Sequence, residues 1–288
     1  MTPSQPPPTN VCILYGGRAE QSVVDRAVGE LRKRDVTCWE ADRDAAPKSL
    51  SRQLAQTTFV LTLGGDGTFL AGARLAAPRG IPVLGVNLGR LGFLTELEAE
   101  QLEAGLGSLL DGNYRIEERA VLQAQLQRGA RNVVTEIGVN EVVVHRAGDA
   151  RMLRLEIDLD GHGVGVIDAD GAMVATATGS TAYALASGGP ILAPALRDMV
   201  LVPMNPFALT VRPIVFPPGQ DVTLTVVRGP AVMRVDGLHR GHAVDTGDAL
   251  RCGSHRRLLK VVRFGPPEDF YRRLGDKLGW GRPLVPMK

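Results

Sequence analysis

The residues Gly64-Gly65-Asp66-Gly67-Thr68 set one carboxylate among three glycines, directly after the apolar run Phe59-Val60-Leu61-Thr62-Leu63. Glycine carries no Cβ, so such a backbone takes positive φ and turns its N–H groups toward an anion. A helical pattern opens at Thr68-Phe69-Leu70, and the amino end of a helix favours phosphate. A phosphate cradle with an acid inside it points to phosphoryl transfer, with Gly64, Gly65, Gly67 and Thr68 at the phosphate. The alternative is an ordinary Asp-Gly tight turn. A helical pattern follows instead of a second alternating strand, and the glycine content exceeds what a tight turn requires. No lysine lies in the loop, so charge on the donor would be neutralised by backbone dipoles and by Mg²⁺ or another divalent cation.

Further candidates lie in the second half. Asn140-Glu141 interrupts an apolar stretch, and adjacent strand residues point to opposite faces. Sugar hydroxyls suit both side chains; a solvated edge strand is the competing reading. Asp170-Gly171 precedes the apolar segment Ala172 to Thr176, followed by Thr178-Gly179-Ser180-Thr181-Ala182-Tyr183 and a helix expected to stop at Gly188-Gly189. That pattern offers capping hydroxyls and free amides at a helix start, with Tyr183 able to stack on a purine. Each hydroxyl also suits simple capping. Phe93, in the glycine-punctuated loop Asn87 to Thr95, would either wall a ligand pocket or plug the domain edge.

The elements that must hold these residues follow two rhythms. Up to about Tyr114, apolar strands near Val11 to Tyr15, Val36 to Trp39, Val60 to Leu63 and Ile81 to Val86 alternate with helical patterns. One such pattern is Val23, Val24, Ala27, Val28 and Leu31. This predicts an α/β, Rossmann-like domain with a parallel sheet, in which a loop at a strand's carboxyl end is the natural ligand site. Beyond Tyr114, short β-branched segments separated by turn residues, ending with Leu258 to Phe264, predict an all-β carboxyl-terminal domain. The boundaries read as a disordered tail over 1–10, an α/β domain over 11–113, a β-rich domain over 114–265, and a helix over 266–288 returning to the first domain. Gly16-Gly17 is not a dinucleotide fingerprint, and no P-loop occurs.

Composition narrows the classes. With 33 basic and 31 acidic residues the net charge is +2, so nothing argues for nucleic acid as a partner and any anion site must be local. Cys12, Cys38 and Cys252 have no metal spacing and suit reduced thiols in a cytoplasm. The amino end lacks the basic start and apolar core of a signal peptide, and no uncharged apolar run is long enough to span a membrane.

Taken in order, Gly64 to Thr68, Asn140-Glu141, Asp170-Gly171 and Thr-x-Thr-Gly-Ser-Thr-Ala-Tyr at Thr176 to Tyr183 resemble the motif set of NAD kinases. The likeness runs over nearly the whole chain, through Asn87 to Thr95, Leu209 to Pro213 and Phe270-Tyr271 with Lys277-Leu278-Gly279-Trp280. It implies the two-domain fold of that family, with the dinucleotide in the crevice between the domains. It further implies transfer of a phosphoryl group from ATP, or polyphosphate, to the 2′-hydroxyl of the adenosine ribose of NAD. Asp66 would be the base, with Gly67 beside the acceptor ribose and Asn140 and Glu141 on ribose and adenine-side groups. Asp170, Thr181, Ala182, Tyr183, Ala184, Leu185 and Ala186 would complete the NAD pocket, and Arg151 and Asp168 fall at ligand-contacting positions. The resemblance also implies a cytoplasmic homodimer or homotetramer. Departures are Asp168 where some members have arginine, Ala177 for proline, Phe207 for histidine, and Leu238 for a polar residue. Two other readings are a diacylglycerol or sugar kinase, similar around the Gly-Gly-Asp-Gly turn, and a catalytically silent NAD(P)-binding regulator.

Overall fold

The computed structural model describes residues 6–16, 21–44, 49–89, 92–148, 151–238 and 241–279. The chain divides into two compact units, Met1–Phe69 with Val83–Glu117 and Val261–Lys288, and Leu70–Pro82 with Glu118–Lys260.

The first unit runs β1 (Asn10–Tyr15), α1 (Gln21–Arg32), β2 (Thr37–Asp42), α2 (Ser51–Leu54), β3 (Phe59–Leu63), the start of α3 (Asp66–Ala76, which belongs to the second unit from Leu70), β4 (Val83–Asn87), β5 (Leu97–Glu98), α4 (Leu102–Leu110) and the start of β6 (Arg115–Arg119). Val23, Val24, Ala27 and Leu31 form the buried stripe of α1, as their helical spacing requires. β3 and β4 are buried throughout, since helices cover both faces of a parallel sheet. They are parallel neighbours, Val60 opposite Val83 and Leu63 opposite Val86, so the Gly64 turn and the loop after Asn87 emerge at the same sheet edge.

The second unit contains β7 (Leu122–Arg128), β8 (Arg131–Gly138), β9 (Glu141–Arg146), β10 (Leu153–Leu159), β11 (His162–Ala169), β12 (Gly171–Thr176), α5 (Tyr183–Ala186), β13 (Met199–Met204), β14 (Ile214–Phe216), β15 (Val222–Arg228), β16 (Ala231–Val235), β17 (His242–Val244) and β18 (Ala249–Ser254). Its strands form two antiparallel sheets, β11-β10-β15-β18-β7-β8 and β14-β13-β12-β9-β16-β17. Side chains of the first sheet alternate in and out, as in β10, where Leu153, Leu155 and Ile157 are buried and Arg154 and Glu156 between them are exposed. β9, β12 and β13 are instead buried on both faces, because Ala177, Ala184 and Leu192 cover Val143, Met173, Ala175, Val200 and Val202. The segment from Thr176 to Leu192 is thereby pressed onto the second sheet.

The chain closes with β19 (Leu259–Arg263) and α6 (Asp269–Leu278). β19 was expected in the β-rich domain; it lies between β4 and β6 in the first sheet, with Val261 parallel to Val83. β6 joins that same sheet, so the rhythm change at Tyr114 precedes the structural division by one strand. Of the expected closing segment, 280–288 lies outside the described residues, Trp280 included. The expected tail also differs over its described part. The Pro6 carbonyl accepts the Tyr114 hydroxyl at 3.0 Å, and the Thr9 carbonyl accepts the Thr37 amide at 3.2 Å, so prolines that disfavour regular structure still leave acceptors for neighbours.

Candidate functional site

In the first unit the site is built on the end of β3. Gly64 takes φ +154°, where a Cβ would overlap the Thr68 hydroxyl, so only glycine permits this turn. The Gly64 amide donates to the Val86 carbonyl at 3.0 Å, and the Thr68 and Phe69 amides donate to the Gly65 carbonyl at 2.9 and 3.1 Å. Gly64 and Thr68 therefore shape the turn from inside, while Gly65 and Gly67 face solvent. This refines the expectation of outward amides throughout: those of Gly64 and Thr68 already have backbone acceptors.

Asp66 is the first residue of α3. Its Oδ2 accepts the Phe93 amide at 3.1 Å and its Oδ1 the Leu94 amide at 3.2 Å. Gly92 makes the approach possible, because a Cβ there would overlap the carboxylate. Phe93 thus enters through its amide, a role neither sequence reading of its ring contained. Arg90 and Leu91 of the same loop lie outside the described residues. The loop is clamped from behind by Glu96 and two arginines. Arg263 donates to the Leu94 carbonyl at 3.2 Å and to Glu96 at 2.8 Å; Arg273 of α6 donates to the Thr95 carbonyl at 2.9 Å and to Glu96 at 2.7 Å. Burial pushes the Glu96 carboxyl up, but Arg263, the Phe264 amide and Arg273 outweigh it and hold the group below the usual carboxylate range.

In the second unit the remaining motifs converge on a cleft of about 520 Å³ whose walls include Glu141, His145, Arg146, Asp170, Tyr183, Asn205 and Arg234. Asp236 organises one side of it. Its carboxylate is fully buried at φ +46° and accepts the amides of Val139 at 2.9 Å, Asn140 at 2.8 Å and Glu141 at 3.1 Å, with Arg74 pairing to it at 3.0 Å. The turn into β9 is thereby fixed. Gly179 packs on the Asn140 carbonyl, where any Cβ would overlap, so the Thr178–Thr181 segment is seated on the Asn140-Glu141 pair. The side chains of that pair carry unmet polarity. Among the described residues Asn140 Oδ1, Glu141 Oε2 and Thr178 Oγ1 are buried without a hydrogen-bond partner. Desolvation, with the nearby Asp236 charge, pushes the Glu141 carboxyl up to about 8. A protonated Glu141 donates a hydrogen bond as well as accepting one.

Asp170 is gripped by Arg146 and Asn205, each at 3.0 Å. None of the hydroxyls caps α5: Thr176 donates to the Val139 carbonyl at 2.6 Å and accepts the Gly179 amide at 3.1 Å, and Ser180 donates to the Ala177 carbonyl at 2.7 Å and accepts the Leu192 amide at 2.9 Å. The expected helix up to Gly188 is a single turn, α5, with Tyr183 exposed toward the cleft and Ala184 buried beneath it. Thr181, Ala182, Leu185 and Ala186 stand around this turn without lining the cleft. Arg151 and Asp168 do not line it either. Asp168 bridges Arg154 at 2.7 Å and Arg228 at 3.0 Å, so the position departing from the family pattern is locally neutralised by two cations. His145, Arg146, Asn205, Arg234 and Asp236 were missed by sequence reading. The only sequence sign of Asp236 was its glycine neighbour, Gly237.

No group of three or more His, Cys, Asp or Glu side chains gathers to hold a metal among the described residues. A divalent cation would enter such a site bound to the substrate's phosphates, the way Mg²⁺ is commonly held.

The chain is similar to known proteins over both of its halves. Residues 18–114 match the family description "ATP-NAD kinase N-terminal domain", and residues 139–264 match "ATP-NAD kinase C-terminal domain". The NAD kinase of Heliobacterium modesticaldum is 43% identical over 235 residues, covering 81% of this chain and 82% of the relative. The NAD kinase of Cellvibrio japonicus is 38% identical over 256 residues, covering 87% of this chain and 83% of the relative. Among solved structures, yeast NADH kinase complexed with NADH superposes with a TM-score of 0.86 at 22% identity, covering 98% of this chain and 91% of that one. The NAD kinase from Archaeoglobus fulgidus in complex with ATP gives 0.76 at 24% identity, covering 94% and 100%. At these identities the structural likeness is one of fold.

Proposed function

The chain belongs to the NAD kinase family, and from that premise we propose that it transfers the terminal phosphoryl group of ATP to the 2′-hydroxyl of the adenosine ribose of NAD. The observation that carries the reading is the Asp66 carboxylate, held by the Phe93 and Leu94 amides at the mouth of a glycine turn. Two amide donors fix its orientation, as a general base requires, and Gly65 and Gly67 leave room for phosphate beside it. Asp66 takes the proton from the ribose hydroxyl, the freed oxygen bonds to the γ-phosphorus, and the bond to ADP breaks with its electron pair leaving on ADP. Mg²⁺ bound with ATP supplies neutralisation of phosphate charge. The Glu141, Asp170 and Tyr183 cleft of the second unit binds the dinucleotide, Glu141 offering both a donor and an acceptor to polar groups and Tyr183 a stacking face. Fixed polar groups of this kind give a dinucleotide site specificity, and the Thr176 to Tyr183 segment favours NAD over a lipid or sugar acceptor. Polyphosphate is the alternative donor.

The test is direct. Purified protein incubated with NAD, ATP and Mg²⁺ is expected to form NADP, and formation should cease when the cation is chelated. No NADP from either ATP or polyphosphate would remove the proposal.

A further inference from the structure

We propose that Arg43 binds anionic oxygens of the phosphoryl donor at the Gly64 to Thr68 turn; the inference rests on the reading of that turn as the donor phosphate site. The loop itself contains no cation, yet the fold brings one to it from the turn after β2. The Arg43 amide donates to the Tyr15 carbonyl at 2.7 Å, fixing its backbone against the end of β1. Its side chain then lies across Gly16: a Cβ on that glycine would fall 2.5 Å from Arg43 Cγ and 2.6 Å from Cδ. The guanidinium reaches the glycine turn, with Nη1 3.9 Å from where a Cβ on Gly67 would sit. Gly16, which opens no dinucleotide fingerprint, acquires a reason to be glycine: it leaves the channel along which Arg43 reaches Gly67.

The charge is available to a ligand. Among the described residues the guanidinium pairs with Asp44 at 3.6 Å, at a side chain 36% exposed, which is a loose surface contact. A planar guanidinium offers paired N–H donors to phosphate oxygens, and a phosphate engaging it would displace Asp44 at little cost. Other glycines near the turn lack this relation to a cation: Gly65 faces Asn87, and Gly92 faces the Asp66 carboxylate. Arg43 therefore supplies the positive charge that the loop sequence lacks, on the side where Gly67 leaves space.

The experiment uses the full chain in four forms, wild type, Arg43→Ala, Arg43→Gln and Gly16→Ala. Initial rates are measured with Mg-ATP varied and then with NAD varied, and Mg-ATP binding is followed by calorimetry. Loss of one charge-assisted contact to phosphate predicts a rise of about tenfold or more in KM and Kd for ATP in Arg43→Ala, with KM for NAD unchanged. Arg43→Gln keeps the packing over Gly16 and removes the charge, so it should match Arg43→Ala. Gly16 has no left-handed φ, so Gly16→Ala leaves the backbone unstrained and should weaken ATP alone by displacing Arg43. ATP affinity within twofold of wild type in Arg43→Ala and Arg43→Gln overturns the inference, as does failure of the wild-type protein to bind ATP. Arg43-dependent ATP binding without NADP formation would uphold it while removing the proposed reaction.

Discussion

Glu141 shows how burial, reinforced by one neighbouring charge, sets the state of a carboxyl. The Glu141 carboxyl is buried with one oxygen unpartnered, and beside it stands Asp236, committed to three backbone amides and Arg74. The result is a carboxyl raised to about 8 from an ordinary value near 4.5. A carboxyl that ionises more readily in the unfolded chain contributes stability below its ordinary value and loses it as pH rises toward 8. The slope approaches about 1.4 kcal/mol per pH unit within that window. Melting temperatures of wild type and Glu141→Gln between pH 5 and 9 should therefore diverge, with the glutamine variant gaining on wild type until about pH 8. Parallel profiles would contradict a raised Glu141. At this scale, Asp66 and Glu141 were legible because residue type and immediate neighbours carried the signal. Asp236, Arg146 and Asn205 were not, since each acts on residues tens of positions away and stands among ordinary loop and strand residues.

At the scale of elements, α6 and β19 hold the loop that holds the acid. Arg273 and Arg263 converge on Glu96, and through the Thr95 and Leu94 carbonyls they fix the segment whose amides bind Asp66. Arg263 and Glu96 are both 5% exposed, so removing one charge strands the others in a poor solvent. Glu96→Gln is expected to lower unfolding free energy by on the order of 3 kcal/mol in urea denaturation, the scale for breaking a buried pair. A change below about 1 kcal/mol, the range of exposed pairs, would show the network to be incidental. The helix α6 was readable from Phe270, Leu274 and Leu278 at four-residue spacing. The sheet to which β19 belongs was not: Leu259 to Arg263 is a short, largely buried run around two valines that suits either sheet, and partner choice is made by long-range packing. The single turn at α5 was overread for a related reason. Its small residues suit a longer helix, but Gly189 packs against the Ala184 carbonyl and ends it.

For the whole molecule, the α/β and β-rich halves were legible because period and strand chemistry change near Tyr114, and the family was legible because its motifs recur in order. The convergence of the second-half motifs in space was not readable from order alone. It depends on β9 and β12 being antiparallel neighbours, which sets Glu141 opposite Ala175 and brings Asp170 and Tyr183 to one cleft. The departure at Asp168 changes meaning in the same way, from an anion where some family members have a cation to the centre of an Arg154–Arg228 bridge. The chemistry of the whole chain turns on the acid at Asp66. Asp66→Asn keeps the shape of the side chain and removes its ability to take a proton. With NAD, ATP and Mg²⁺ supplied, that variant should bind NAD with near wild-type affinity while NADP formation falls by at least about 100-fold, the scale of general-base catalysis. Turnover equal to wild type in Asp66→Asn would contradict the account.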